Sequence, residues 1–102
     1  MKITLQELVS KLSYNLDDIA IKIYKPNEKG EVSREDSPIE YGILNIEPYI
    51  EHFYYKSIKG EKIDFRKIVN ASVLEIDRAE YIGKDYERFN NATIMISLKL
   101  CD

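Results

Sequence analysis

The sequence predicts an α+β fold: one or two helices packed on a small, largely antiparallel sheet. Three observations carry that expectation. The N-terminal residues combine a capping box with an apolar stripe of helical period, and two stretches far apart in the chain alternate apolar and polar residues with the period of a strand. The third is length, since 102 residues suit one hydrophobic core and not two. With 44% hydrophobic residues, four Gly and three Pro, the chain has enough apolar material to fold and too little Gly and Pro for a linker.

The first helix follows from Thr4-Leu5-Gln6-Glu7, which has the S/T-x-x-E form. Thr4 can accept from the Glu7 amide while Glu7 reaches back to the Thr4 amide, and Ile3 and Leu8 hold the positions of a hydrophobic staple. Leu5, Leu8, Val9 and Leu12 recur at spacings of three and four, so the helix is expected over 5–13. After Asp17 and Asp18 the period changes to two. Ile19, Ile21 and Ile23 point one way and Ala20, Lys22 and Tyr24 the other, which predicts a strand with one buried face.

Residues 26–38 hold Pro26, Asn27, Gly30 and Pro38, with Val32 the only clearly apolar side chain before Ile39, and predict an exposed loop or hairpin tip. Ile39, Tyr41 and Ile43 suggest a short second strand. Over 47–59 the spacing predicts a helix: Ile46, Tyr49, Ile50, Phe53, Tyr54 and Ile58 fall on one face, Pro48 stands near the start, Lys56 and Lys59 in the last turn, and Gly60 beyond. The competing reading is an aromatic-rich strand, because Tyr49, Phe53, Tyr54 and Tyr55 all favour β structure. Asp64 can cap a brief helix over 65–70, and Ser72 to Arg78 reads as a strand. Gly83 and Asn90-Asn91 bracket a polar connection before the last strand, 92–100, where Ile94, Ile96, Leu98 and Leu100 face inward and Thr93, Met95, Ser97 and Lys99 outward.

The chemistry is mostly excluded by composition. One histidine, His52, and one cysteine, Cys101, cannot supply the three or four N and S ligands of a zinc centre, and no local Ser-His-Asp or Cys-His arrangement is visible. His52 reads as a surface residue. The four isolated glycines form neither phosphate-binding pattern, which argues against nucleotide-driven enzymes. Glu75 and Asp77 project to the same side of a strand and could share a magnesium ion, but pairing with Arg78 and Lys99 explains them as well. No catalytic residue, metal or cofactor is expected. A lone cysteine, no apolar leader and no run near the ~20 apolar residues of a membrane span lead to an expectation of a soluble protein in a reducing cytoplasm.

Net charge is −3, and the acid excess lies in residues 1–50, nine acids against six bases, while 51–102 carries nine of each. That balance disfavours a non-specific DNA binder. Glu28, Glu31, Glu35 and Asp36 make the 26–38 loop the candidate contact for a protein partner, together with Tyr55, one of eight tyrosines, a residue type common at contact surfaces. The alternative is a nucleic-acid interface built from Lys56, Lys59, Lys62, Arg66 and Lys67 with Tyr55 as a stacking ring.

The opening Met-Lys-Ile-Thr-Leu-Gln-Glu-Leu-Val-Ser-Lys-Leu, the early strand from Ile19 and the closing strand to Leu100 resemble small accessory proteins of bacteriophages and prophages of low-GC bacteria. The resemblance covers the two ends of the chain and transfers no functional residues. It implies a host cytoplasm and a gene class that includes inhibitors of bacterial defence, such as anti-CRISPR proteins. The leading expectation is a non-catalytic protein-binding module that occupies a surface on a host protein, its acids imitating phosphates. A small nucleic-acid-binding or regulatory protein is second, and a homodimer with a purely structural aromatic surface third.

Overall fold

A computed structural model describes residues 2–11, 18–33, 35–47 and 52–101, with the backbone alone at 46, 47, 52 and 53. Helix α1, Leu5–Ser10, begins as the capping box requires: Thr4 Oγ1 accepts from the Glu7 amide at 3.2 Å. The reciprocal contact differs from expectation, because Thr4 donates its hydroxyl to the Glu7 carboxylate at 3.1 Å. Lys11 caps the C-terminal end, and the remainder of the expected 5–13 helix lies outside the described residues.

Strands β1 (Ile19–Tyr24), β2 (Glu40–Glu47), β3 (His52–Gly60), β4 (Ser72–Asp77) and β5 (Met95–Lys99) form one sheet in the order β3-β2-β1-β5-β4. Every pairing is antiparallel except β1 with β5, the two central strands, which run parallel with Ile21 beside Ile96. Two further short helices, α2 (Phe65–Val69) and α3 (Glu87–Asn90), complete the described elements. The fold is a small α+β architecture on a mixed, mostly antiparallel sheet.

The principal core lies on the sheet face covered by α1 and α2. Leu5, Val9 and Ile68 pack there on Ile19, Ile21, Ile23, Leu44, Ile96 and Leu98. The half-buried sheet expected from the alternation of β1 and β5 is corrected by the second face, where Ala20, Ile43 and Met95 are covered by Phe89 of α3 and by Ala79, Ile82, Tyr86 and Ala92. Met95 and Ser97, expected to point to solvent, are 4% and 1% exposed. The same covering explains β2: the adjacent Ile43 and Leu44 are both buried because the strand is enclosed on both faces.

The segment over this second face has little regular structure and is fastened by polar side chains. Asn90 accepts from the Ile82 amide at 2.8 Å and donates to the Gly83 carbonyl at 2.6 Å. Arg88 forms a two-pronged bond to Asp18, both contacts 2.8 Å, and Lys22 reaches Glu80 at 3.1 Å.

The helix expected over 47–59 is replaced, in its described part, by β3. Residues 52–60 pair along β2 from Glu47↔His52 to Glu40↔Gly60. Long-range pairing thus overrides local spacing, and the aromatic residues that qualified as a helix stripe serve their β preference instead. A register shift between Tyr41 and Gly42 brings Ser57 opposite Gly42 and Lys59 opposite Tyr41. Ile58, the extra residue, packs on the second face against the cluster of Ala20, Ile43, Phe89 and Met95. Gly60 ends the strand at φ +101°, and a Cβ there would collide with the Ile39 carbonyl, so only glycine turns the chain toward α2 at this point.

Candidate functional site

The loop between β1 and β2 is built of two hydrogen-bonded turns. Asn27 Oδ1 accepts from the amides of Lys29 at 2.9 Å and Glu31 at 3.0 Å, an arrangement that explains the asparagine, whose short carbonyl can mimic a backbone acceptor. The second turn is closed by Asp36, whose carboxylate accepts from the Ser33 amide at 2.8 Å while its own amide donates to the Ser33 carbonyl at 3.1 Å. Lys99 at the end of β5 donates to the Gly30 carbonyl at 3.1 Å and ties the loop to the sheet.

These bonds separate the four acids proposed from the sequence. Asp36 is exposed, but its carboxylate is engaged in the turn. Glu28, Glu31 and Glu35 are exposed, and their carboxylates have no partner among the described residues. The loop joins the sheet at the end where β3 finishes and β4 begins, so α2 and its basic residues Arg66 and Lys67 belong to the same end.

Tyr55 does not project outward. In the strand its ring lies over Gly42, whose missing side chain leaves the necessary space, and its hydroxyl donates to the carboxylate of Glu40. Glu40 is fully buried and also accepts from the Ile63 amide at 3.0 Å, thereby fastening the chain that leads into α2 to the sheet. Burial, reinforced by the Glu40 carboxylate, holds the Tyr55 hydroxyl well above the usual phenol range, so it remains a donor. Tyr54, expected to face the core, is instead 52% exposed.

The basic residues are divided by the strand. Lys56 lies opposite Ile43 and Lys59 opposite Tyr41, both toward the second face, where the Lys59 ammonium sits 5.4 Å from the Tyr41 ring centre and 5.6 Å from that of Tyr86. Lys62 follows the strand beside Asp64, Arg66 is 3.5 Å from Asp64, and Lys67 lies on α2. They do not form one continuous track with Tyr55.

His52 belongs to β3 and not to a helix; its side chain lies outside the described residues. Glu75 and Asp77 are both exposed on β4, and no group of three or more His, Cys, Asp or Glu that could hold a metal occurs among the described residues. No helix among them is long and apolar enough to cross a membrane. No family model, curated protein or solved structure matches the chain.

The sequence reading missed the Glu40–Tyr55 pair. A signal was present: continued alternation places Glu40 on the same side as Gly42 and Leu44, which marks a carboxylate on the core face. Extending β2 to Glu47 would have exposed it.

Proposed function

We propose that this chain is a non-catalytic, phage-type protein-binding module that acts in a host cytoplasm by occupying a surface of a host protein, with Glu28, Glu31 and Glu35 as its leading contacts. The observation that carries the reading is the combination of three exposed carboxylates that have no partner among the described residues with a loop held by Asn27, Asp36 and Lys99. A loop already ordered in the free protein loses less conformational freedom on binding, so more of the contact energy appears as affinity.

A nucleic-acid-processing enzyme, including one that serves bacterial defence, presents a basic groove for phosphates. Carboxylates on a fixed loop complement such a groove and speed encounter with it. The inhibitor reading, similar in kind to anti-CRISPR action, rests on that complementarity. Asp36 contributes by closing the turn, and Tyr54 at the sheet edge takes the exposed-aromatic part first assigned to Tyr55.

The test is capture of binding partners from a low-GC bacterial lysate with the tagged chain, with and without nuclease. One stoichiometric protein retained after nuclease is the expected result. Recovery that disappears with nuclease would refute the reading in favour of a nucleic-acid contact.

A further inference from the structure

The chain between β4 and β5, residues 79–92, is bonded to itself and rests on the sheet through side chains. The amides of Tyr86, Asn90, Asn91 and Ala92 donate to the carbonyls of Gly83, Tyr86, Glu87 and Phe89, and the Asn90 side chain joins the Ile82 amide to the Gly83 carbonyl. Among the described residues no backbone hydrogen bond runs from this segment to a strand. It can therefore leave the sheet without breaking a rung of the ladder and without losing its own hydrogen bonds.

What holds it down is a short set of side-chain contacts. Phe89 is fully buried with Ala20, Ile43 and Met95 and meets the Tyr41 ring edge-on at 5.5 Å. Around that anchor Arg88 reaches Asp18, Glu80 reaches Lys22, and the Lys59 ammonium lies 5.6 Å from the centre of the Tyr86 ring. Partly exposed ion pairs of this kind each contribute little. The seat is also incomplete, because a cavity of about 510 Å³ stays open between residues 84–88 of the segment and Lys56, Ser57 and Ile58 of β3.

The opposite face of the sheet needs none of these contacts. Its core, built on Leu5, Val9 and Ile68, is a separate cluster of ten buried residues, against four in the cluster around Phe89. Two clusters on opposite faces of one sheet make two units of unequal size, and the smaller can open while the larger stays folded.

We infer that residues 79–92 form a releasable strap that opens as one body, with the sheet and its α1–α2 core intact, and uncovers the second sheet face. The open form presents Ala20, Tyr41, Ile43, Ile58 and Met95, an apolar surface that the strap packs against when closed. Both ends stay fixed, because Asp77 pairs with Met95 on one side and Ile94 accepts the Ala20 amide at 2.9 Å on the other. The strap is distinct from the β1–β2 loop, and the inference stands whether or not that loop binds a protein.

The test is native-state amide exchange of the full chain, followed by NMR across urea concentrations below the unfolding transition. The amides of Ile82, Tyr86, Asn90, Asn91 and Ala92 report the strap, and those of β1 and β5 report the sheet. The strap amides are expected to exchange at least about tenfold faster than the sheet amides, with one shared urea slope smaller than that of global unfolding. Two variants separate the units. Ile68→Val, in the core of the first face, should speed the sheet amides about fivefold and leave the strap amides unchanged, because the open form keeps that core. Glu80→Gln/Arg88→Gln should speed both sets by one common factor of about three to ten, because strap release and global unfolding both break the two ion pairs. Strap amides that exchange at the rate and slope of the sheet would show that the segment leaves only when the whole chain unfolds. Rates that differ from amide to amide without urea dependence would show fraying in place of release. Either result, or strap amides accelerated by Ile68→Val as much as the sheet, overturns the inference.

Discussion

The hydroxyl of Tyr55 donates to the buried carboxylate of Glu40 across the bare backbone of Gly42. The contact joins two neighbouring strands and, through the Ile63 amide, the segment that carries α2. Removing the donor leaves a buried carboxyl group one hydrogen bond short. Tyr55→Phe should therefore cost about 1.5–3 kcal/mol, read as a lower urea midpoint at unchanged slope. A change below about 0.5 kcal/mol would contradict the contact.

Gly42 should show its dependence on Tyr55. In Gly42→Ala the added carbon occupies the position of the tyrosine ring, so the ring must leave Glu40, at a cost of about 1–3 kcal/mol. In a Tyr55→Ala background the same substitution should cost little, and the double-mutant cycle measures the coupling. Equal costs in both backgrounds would show that the ring does not fill that space.

Ser97 offers the opposite sign. Its hydroxyl is buried and has no hydrogen-bond partner among the described residues. An unsatisfied polar group is costly to enclose, and Ser97→Ala should leave stability unchanged or raise it by up to about 1 kcal/mol. Thermal unfolding decides, and a clear loss would mean that the hydroxyl is bonded.

Asp18 links stability to pH. Its hydrogen bond from Arg88, helped by one from Asn45 and opposed by burial, holds the carboxyl below the ordinary value of 3.8. The folded state thus binds the proton less readily than the unfolded chain. The resulting stabilisation is present above the ordinary value and is lost as pH falls through the depressed one. The pair is partly exposed, with 24% of the Asp18 and 49% of the Arg88 side chain accessible, so a gain of no more than about 1 kcal/mol is expected at neutral pH. Arg88→Gln should remove it, and wild type and variant should converge below the ordinary carboxyl range. A constant difference across that range would contradict the linkage.

The features read correctly were those written locally. The Thr4 cap, the isoleucines of β1, the Asp64-capped α2 and the turn residues of the 26–38 loop each declare themselves within a few positions. Residues 52–60 were different, because their aromatics satisfy a helical period as well as a strand, and only pairing with β2 decides between the two. The cover on the second sheet face was hidden for a related reason. Phe89 is a single buried aromatic among charged neighbours, and its segment is fastened by Arg88 and Asn90 to partners far away or irregularly placed. The candidate site followed the same division: Glu28, Glu31 and Glu35 are exposed as expected, while Tyr55 was misplaced along with its strand.

The most direct measurement of the binding account is the affinity of the captured host protein for the chain and for Glu28→Lys/Glu31→Lys/Glu35→Lys, by calorimetry at low and at physiological salt. Asp36 is left intact so that the turn it closes remains. The account requires the triple variant to bind more weakly and with a flatter salt dependence, because charge complementarity is screened by ions. Equal affinity at both salt concentrations would contradict it and remove the loop from the interface.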